Sequence, residues 1–263
     1  MNSSTLGSGT DTASTPNAAE AFARDGFLVL PGLIPGDVCD AVTAGVRESL
    51  SPVLAPAEFE ADVGYPGAPE SRAAAGGDTP RRLLNAYSRF AALRPVVGGG
   101  VVAGHLRTVL GTERVILSQC HHNCVMTKSP DFSSVTLWHQ DIRYWSFERP
   151  ELVSLWLALG DETADNGALM VIPGTHRLSL APGRLDSASF LRPELPENQA
   201  LIHEARTIAL AKGDVLLFHC RAFHAAGRNL TSQVKLSAVF TYHAEDNRPL
   251  PGTRSARYAG IPL

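Results

Sequence analysis

The run Leu137-Trp138-His139-Gln140-Asp141-Ile142-Arg143-Tyr144-Trp145 decides how the rest of the chain is read. On an extended strand, residues two apart face the same side. His139 and Asp141 would therefore present an imidazole nitrogen and a carboxylate oxygen to one interior. One further histidine completes a 2-His-1-carboxylate set, which occupies one face of an octahedral Fe(II) and leaves the other positions open. A His-x-Asp pair arises by chance in many chains, so the third ligand has to supply the specificity.

A second stretch offers it. In Gly213-Asp214-Val215-Leu216-Leu217-Phe218-His219-Cys220-Arg221-Ala222-Phe223-His224-Ala225-Ala226-Gly227-Arg228-Asn229, Gly213-Asp214 reads as a turn and Val215 to Phe218 as a short buried strand. His224 follows, then a Gly-Arg-Asn turn and another strand from Val234 to Tyr242. Two histidines compete for the third position. His219 and His224 are five apart, so a regular strand would turn them to opposite faces and only one could reach the metal.

With these blocks in hand the chain resembles the phytanoyl-CoA dioxygenase family of iron(II)/2-oxoglutarate-dependent oxygenases. Asp25-Gly26-Phe27-Leu28-Val29-Leu30-Pro31-Gly32 is similar to the family's opening strand. Thr127-Lys128-Ser129-Pro130-Asp131 followed by His139-Gln140-Asp141 resembles its proximal ligand block. Asn166 to His176 matches its Gly…Pro-Gly-Ser/Thr-His segment, and Gly213 to Asn229 its distal ligand block. The resemblance implies Fe(II) held by His139, Asp141 and His224, with 2-oxoglutarate and O2 as cosubstrates. It selects His224 over His219 because the family's ligand precedes a small-residue turn ending in Gly-x-Asn. It further implies oxidation of an unactivated C–H bond of a small molecule, with release of succinate and CO2. Related halogenases carry a small residue where Asp141 stands, so the carboxylate points to hydroxylation or another oxidation.

The cosubstrate residues carry over with departures. The family anchors the 5-carboxylate of 2-oxoglutarate with an Arg eleven residues after the distal His; here that position is Lys235. Lys offers a flexible point charge where Arg offers a fork, and Arg228 or Arg143 could substitute. Trp156 corresponds to the Trp lining the cosubstrate pocket, Cys124 to an apolar contact, and Gln140 is counted with the same group. The family's Ser two residues after the distal His is Ala226. These departures keep two other readings in view: a cupin-like binding protein without turnover, and a zinc hydrolase built on the same three ligands.

The remaining sequence is consistent with one oxygenase domain over 19–263. Many short strands with Gly/Pro turns, and helices mostly in the first half, indicate a mainly β, double-stranded β-helix of the cupin-like jelly-roll type with buttressing N-terminal helices. Residues 1–18 are Ser/Thr/Gly-rich and read as a disordered tail, not a secretory signal. Helices are expected over Ala19 to Arg24, Gly36 to Leu50, Arg81 to Leu93 and Val96 to Leu110. Strands are expected over Phe27 to Leu30, Val115 to Met126, Val135 to Tyr144, Val153 to Leu159, Ala168 to Ile172 and Ala205 to Leu210. Arg81 or Arg82 could reach the pocket, but a solvated helix face is the favoured reading. The Pro-rich stretches Ser51 to Pro80 and Ala181 to Gln199 are lid candidates, with Arg143, Tyr144 and Trp145 at the pocket mouth.

A net charge of −3, with no basic stripe, points away from nucleic acid and anionic membranes. No apolar run is long enough to span a bilayer. The four cysteines show no disulfide spacing and read as free thiols of a cytoplasmic protein, a monomer or homodimer. Cys120-His121-His122-Asn123-Cys124 concentrates zinc-type ligands, but the spacing fits no finger, and pocket lining or core is the favoured reading. On a regular strand Cys120, His122 and Cys124 would share one face, with His121 opposite.

Overall fold

The computed structural model describes residues 17–263. Residues 1–16, most of the expected tail, lie outside the described residues; Asn17 caps the first helix with its side chain on the Ala19 amide. The helices are α1 (Ala18–Asp25), α2 (Gly36–Leu50), α3 (Ala86–Arg89), α4 (Arg94–Val97), α5 (Gly100–Leu110) and α6 (Pro196–His203). The strands are β1 (Phe27–Leu30), β2 (Ala57–Phe59), β3 (Pro80–Leu84), β4 (Val115–Lys128), β5 (Thr136–His139), β6 (Leu152–Ala158), β7 (Leu169–Val171), β8 (Arg206–Thr207), β9 (Val215–His219), β10 (His224–Ala226), β11 (Lys235–Ala244) and β12 (Ile261–Pro262).

They form two antiparallel sheets. The larger runs β1-β9-β6-β11-β4-β3-β2, with β12 also on β4; the smaller runs β5-β10-β7-β8. This is the mainly β jelly roll expected from the sequence. Period-two alternation divides the central strands between two tasks. Val153, Leu155 and Leu157 of β6, with Ala238, Phe240 and Tyr242 of β11, pack against Val42 and Val46 of α2 and Leu106 of α5. Their neighbours Trp156, Ala158 and Val239 face the other way and pack with Leu169 and Val171 of the smaller sheet. Every residue of β6 and of β11 is buried, as expected for strands covered on both faces. The helices thus close the outside of the larger sheet, and the inter-sheet space is left for the site.

Three expectations are corrected. Arg81 to Leu93 is not one helix: Pro80–Leu84 is a strand paired with β4, Ala86–Arg89 is a single α-helical turn and Ala91–Leu93 a 3-10 turn. The alternating burial of β3 is set by that pairing, a non-local contact that five residues do not announce. Val96 to Leu110 is broken at Gly98-Gly99 into α4 and α5. The strand through Tyr144 ends at His139, and Asp141–Tyr144 forms a 3-10 turn. Gln140 itself stays extended (φ −112°, ψ 136°), so His139 and Asp141 still face one interior.

Candidate active site

Antiparallel pairing brings the two candidate ligand histidines together. His224 of β10 is the direct partner of His139 of β5, and their ring centroids are 4.3 Å apart. His139 Nδ1 lies 2.8 Å from the Leu137 carbonyl, and His224 Nδ1 lies 3.1 Å from that of Ala222. Those contacts assign the ring protons to Nδ1 and leave both Nε2 lone pairs free. Each Nε2 then approaches Asp141 Oδ1, at 3.8 Å and 3.6 Å. One ligand atom from each of the three lies within 4.8 Å of the others, and all three residues are buried. Two neutral imidazoles and one carboxylate fit a divalent iron, with the other side of the metal open to the cavity. Burial, helped by His224, pushes the His139 imidazole down to about 3, so it stays neutral and available as a ligand.

The carboxylate is held from behind. Asp141 Oδ2 accepts from Ser154 Oγ at 3.1 Å and meets His122 Nε2 at 3.3 Å. Burial alone would raise the Asp141 carboxyl, but His122, His224 and His139 hold it well below the usual range. Burial alone would lower His122, and the same carboxylate overrides it, to about 9. Sequence alternation did not place His122 here. The β4–β11 register jumps from Asn123–Phe240 to Ser118–Thr241, leaving residues 119–122 bulged out of the ladder. The bulge puts both His121 and His122 on the cavity wall, where His121 packs on Trp145 and bonds Ser255 Oγ at 2.8 Å. Cys120 instead contacts the backbone of Tyr258. Among the described residues, no zinc-type cluster forms around it.

His219 is not a rival. Its Nδ1 accepts from the Arg221 amide at 3.1 Å, and its ring packs on His176. His176 in turn sits against Gly26 (φ +79°), where a Cβ would come within 2.3 Å of its Nδ1.

The triad opens into a cavity of about 530 Å³. Its deep end is framed by Trp156, Leu169, Phe218, Ala226, Lys128 and Lys235. Lys235 Nζ is 2.7 Å from Glu162 Oε2, while Glu162 Oε1 accepts from Trp156 Nε1 at 2.9 Å and Ser237 Oγ at 2.6 Å. Glu162 went unremarked in the sequence; it lies in a polar turn, and an isolated bridge to Leu210 draws it under the sheet. Trp156 therefore lines the cavity while its indole N–H is tied to that carboxylate. Cys124 is buried among Trp156, Ala226 and Val239, behind the wall and not on it. Gln140 points away from the cavity, its amide donating to the Arg221 carbonyl, as the alternation that faces its neighbours inward requires. Of the two alternative anchors, Arg228 is absent from the wall and Arg143 lies at the mouth.

The mouth is built by both Pro-rich loops, through Tyr65 and Phe190, and by Arg143 and Tyr144 of the 3-10 turn. The Arg143 guanidinium lies 3.9 Å from the Phe190 ring centroid and 4.7 Å from that of Tyr144. Tyr144 is hydrogen-bonded through its hydroxyl to Tyr65 at 3.1 Å. Arg81 and Arg82, read from sequence as solvated, also line the cavity, and both pair with Glu58 at 3.6 Å and 3.5 Å.

A jelly roll with a His-x-Asp…His set converging on one cavity defines the class of iron(II)/2-oxoglutarate-dependent oxygenases. The chain belongs to the phytanoyl-CoA dioxygenase (PhyH) family, whose sequence model matches residues 22–237. Among relatives, it is 27% identical over 256 residues to an ectoine dioxygenase of Sphingopyxis alaskensis, covering 90% of this chain and 78% of that protein. It is 32% identical over 121 residues to human peroxisomal phytanoyl-CoA dioxygenase, covering 42% and 35%. The fold is similar to EctD from S. alaskensis, solved with 2-oxoglutarate and 5-hydroxyectoine, at TM-score 0.73 and 21% identity over 97% of this chain and 88% of that one. It is also similar to the epimerase SnoN in complex with Fe3+, alpha ketoglutarate and nogalamycin RO, at TM-score 0.68 and 22% identity, covering 94% of each. The chain is an iron(II)/2-oxoglutarate-dependent dioxygenase.

Proposed function

We propose that His139, Asp141 and His224 hold the iron, that 2-oxoglutarate lies along the deep end of the cavity toward Lys235, and that the small-molecule substrate carries an anionic group read by Arg143. A single catalytic domain over 19–263, in a cytoplasmic monomer or homodimer, completes the reading. The observation that supports it best is the approach of both imidazole Nε2 atoms to one carboxylate oxygen at the floor of a cavity with cationic groups at each end.

Bound iron supplies the oxygen activation and the oxidising power. The chain's own residues supply position and exclusion. Leu137 and Ala222 fix the ligand tautomers through Nδ1. His122 and Ser154 occupy one oxygen of Asp141 and turn the other toward the metal. Trp156, Leu169 and Phe218 give the deep end an apolar wall that excludes water from the cosubstrate. Hydroxylation of an unactivated C–H bond is the outcome these positions suit.

The substrate assignment rests on Arg143. Its Nη1 is buried without a hydrogen-bond partner, and none of the ion pairs among the described residues includes it. An unmatched guanidinium between two aromatic rings, at the mouth of a metal site, suits a carboxylate or phosphate on a planar or apolar body. Anaerobic addition of Fe(II), then 2-oxoglutarate, to metal-free protein should produce the weak visible charge-transfer band of the chelate. Asp141→Ala should abolish that band and substrate-dependent succinate release. Unchanged turnover in the variant would rule out this metal site.

A further inference from the structure

Lys128 and Lys235 are direct cross-strand partners at the end of the β4–β11 ladder. Both line the deep end of the cavity. Like charges directly opposite in a sheet repel, and burial makes the repulsion costlier. The chain answers only half of this charge. Glu162 sits on Lys235 and is itself fully committed, accepting from Trp156, Ser237 and Lys235. Lys128 Nζ reaches only neutral oxygens, the carbonyls of Ser134 at 3.1 Å and of Gly227. Among the described residues it has no ion pair. The nearby Glu60 is engaged by Arg81 at 3.6 Å and by the Ser134 amide at 3.2 Å. Three N–H donors against two carbonyls leave one proton of Lys128 for a ligand.

We infer that the 5-carboxylate of 2-oxoglutarate is bound by Lys128 and Lys235 together, and that Glu162 is a positioning residue that fixes Lys235 and cancels its charge. The inference rests on the cosubstrate reading above and changes what it says about the departure from Arg. Two ammonium groups and one resident carboxylate sum to a single positive charge, the same net charge that one Arg would present. Lys128 therefore supplies the attraction, and the Lys235–Glu162 pair supplies shape and hydrogen bonds. Selectivity for a dicarboxylate over a monocarboxylic 2-oxo acid then depends on Lys128. Burial, together with Lys235 and Arg81 and against the pull of Glu60 and Glu162, brings the Lys128 ammonium down to about 7. A carboxylate arriving on it would draw a proton back from solvent.

The test compares 2-oxoglutarate with 2-oxovalerate, which keeps the 2-oxo acid head and lacks the 5-carboxylate. Each is titrated anaerobically into the Fe(II)-loaded protein and followed by the charge-transfer band. In Lys128→Met the dissociation constant for 2-oxoglutarate should rise roughly ten- to hundredfold, the range of a buried hydrogen bond to a charged group, with 2-oxovalerate unchanged. Unchanged 2-oxoglutarate affinity, or an equal loss for both acids, would overturn the role of Lys128. Wild-type protein needs no variant to fold: calorimetry near pH 7.5 in two buffers of different ionisation enthalpy should show net proton uptake with 2-oxoglutarate beyond that with 2-oxovalerate. Equal uptake for both would overturn the inference. Wild-type protein that produces no band with either acid would instead refute the metal and cosubstrate reading beneath it.

Discussion

His122→Phe should weaken Fe(II) binding by roughly ten- to hundredfold, the usual effect of losing a partner that orients a metal ligand. The size follows from the geometry around Asp141. Two groups hold its Oδ2: His122 Nε2 at 3.3 Å and Ser154 Oγ at 3.1 Å. At an effective dielectric of about 20, opposite unit charges at that separation attract by about 5 kcal/mol. Much of that is offset by burying the imidazole, whose side chain is 14% exposed. The surplus is the net value of a hydrogen bond to a charged group, about 1.5–3 kcal/mol. Ser154 remains in the variant and keeps the carboxylate from swinging freely, so the loss should fall within this range and not beyond it. Phe preserves the ring that meets Trp145 edge-on at 5.6 Å between centroids, and with it the packing of the bulge. Ser154→Ala removes a donor that carries no charge of its own and so lacks the Coulomb attraction of the imidazolium, and its effect should be smaller. The assay is anaerobic competition for Fe(II) against a chromophoric chelator, with thermal unfolding of the metal-free proteins as a control for folding. Fe(II) affinity within twofold of wild type in His122→Phe, or a larger loss in Ser154→Ala, would refute the idea that the bulge exists to aim Asp141.

Tyr242 is fully buried and donates its hydroxyl to the Val97 carbonyl at 2.8 Å; Tyr242→Phe should cost about 1–3 kcal/mol, read as a lowered Tm with the 2-oxoglutarate band intact. Gly167 has φ +75°, and a Cβ there would lie 2.7 Å from both the Gly227 carbonyl oxygen and Lys128 Cδ. Gly167→Ala should therefore destabilise the fold and weaken 2-oxoglutarate binding together; a Tm and an affinity both at wild-type values would contradict the crowding. Arg143→Gln should raise KM for an anionic substrate at least tenfold, while substrate-free succinate formation stays near wild type. Equal loss of both activities would place Arg143 at the metal or cosubstrate instead.

The candidate metal-ligating residues were legible because local geometry suffices. A His-x-Asp pair needs only an extended chain, and Gln140 keeps that conformation although the regular strand stops before it. The helix Gly36–Leu50 was legible for the same reason, its apolar positions recurring at helical spacing. His224 required the family pattern, since spacing alone showed only that it and His219 could not both face inward. What stayed hidden depends on distant pairing. Arg81 and Arg82 reach the cavity because Pro80–Leu84 pairs with β4, not because of their neighbours in sequence. His122 reaches Asp141 because β11 skips four residues of β4. Glu162 looks like an ordinary turn carboxylate until the two sheets close around it and it becomes almost fully buried. In each case a charged or polar side chain gained its role from a partner strand more than thirty residues away or from an isolated bridge outside the sheets.

The cavity divides into two halves with different mechanical character. At the proposed metal and cosubstrate end, Lys128, Trp156, Phe218, His224 and Lys235 all project from strands, and each of those strands is paired on both sides. Rigid elements hold side chains more closely than loops do, which suits a step that every turnover repeats unchanged. At the mouth, Tyr65 and Phe190 come from long irregular connections, and Arg143 from a short 3-10 turn. Loops carried on a fixed scaffold are where recognition can change without disturbing chemistry. Substitutions at Tyr65 or Phe190 should accordingly alter which substrate is accepted while the 2-oxoglutarate charge-transfer band and its affinity stay put. Substitutions at Lys128 or Trp156 should move the cosubstrate first, because those side chains share the ladder that carries the metal's neighbours and no loop lies between to absorb the change.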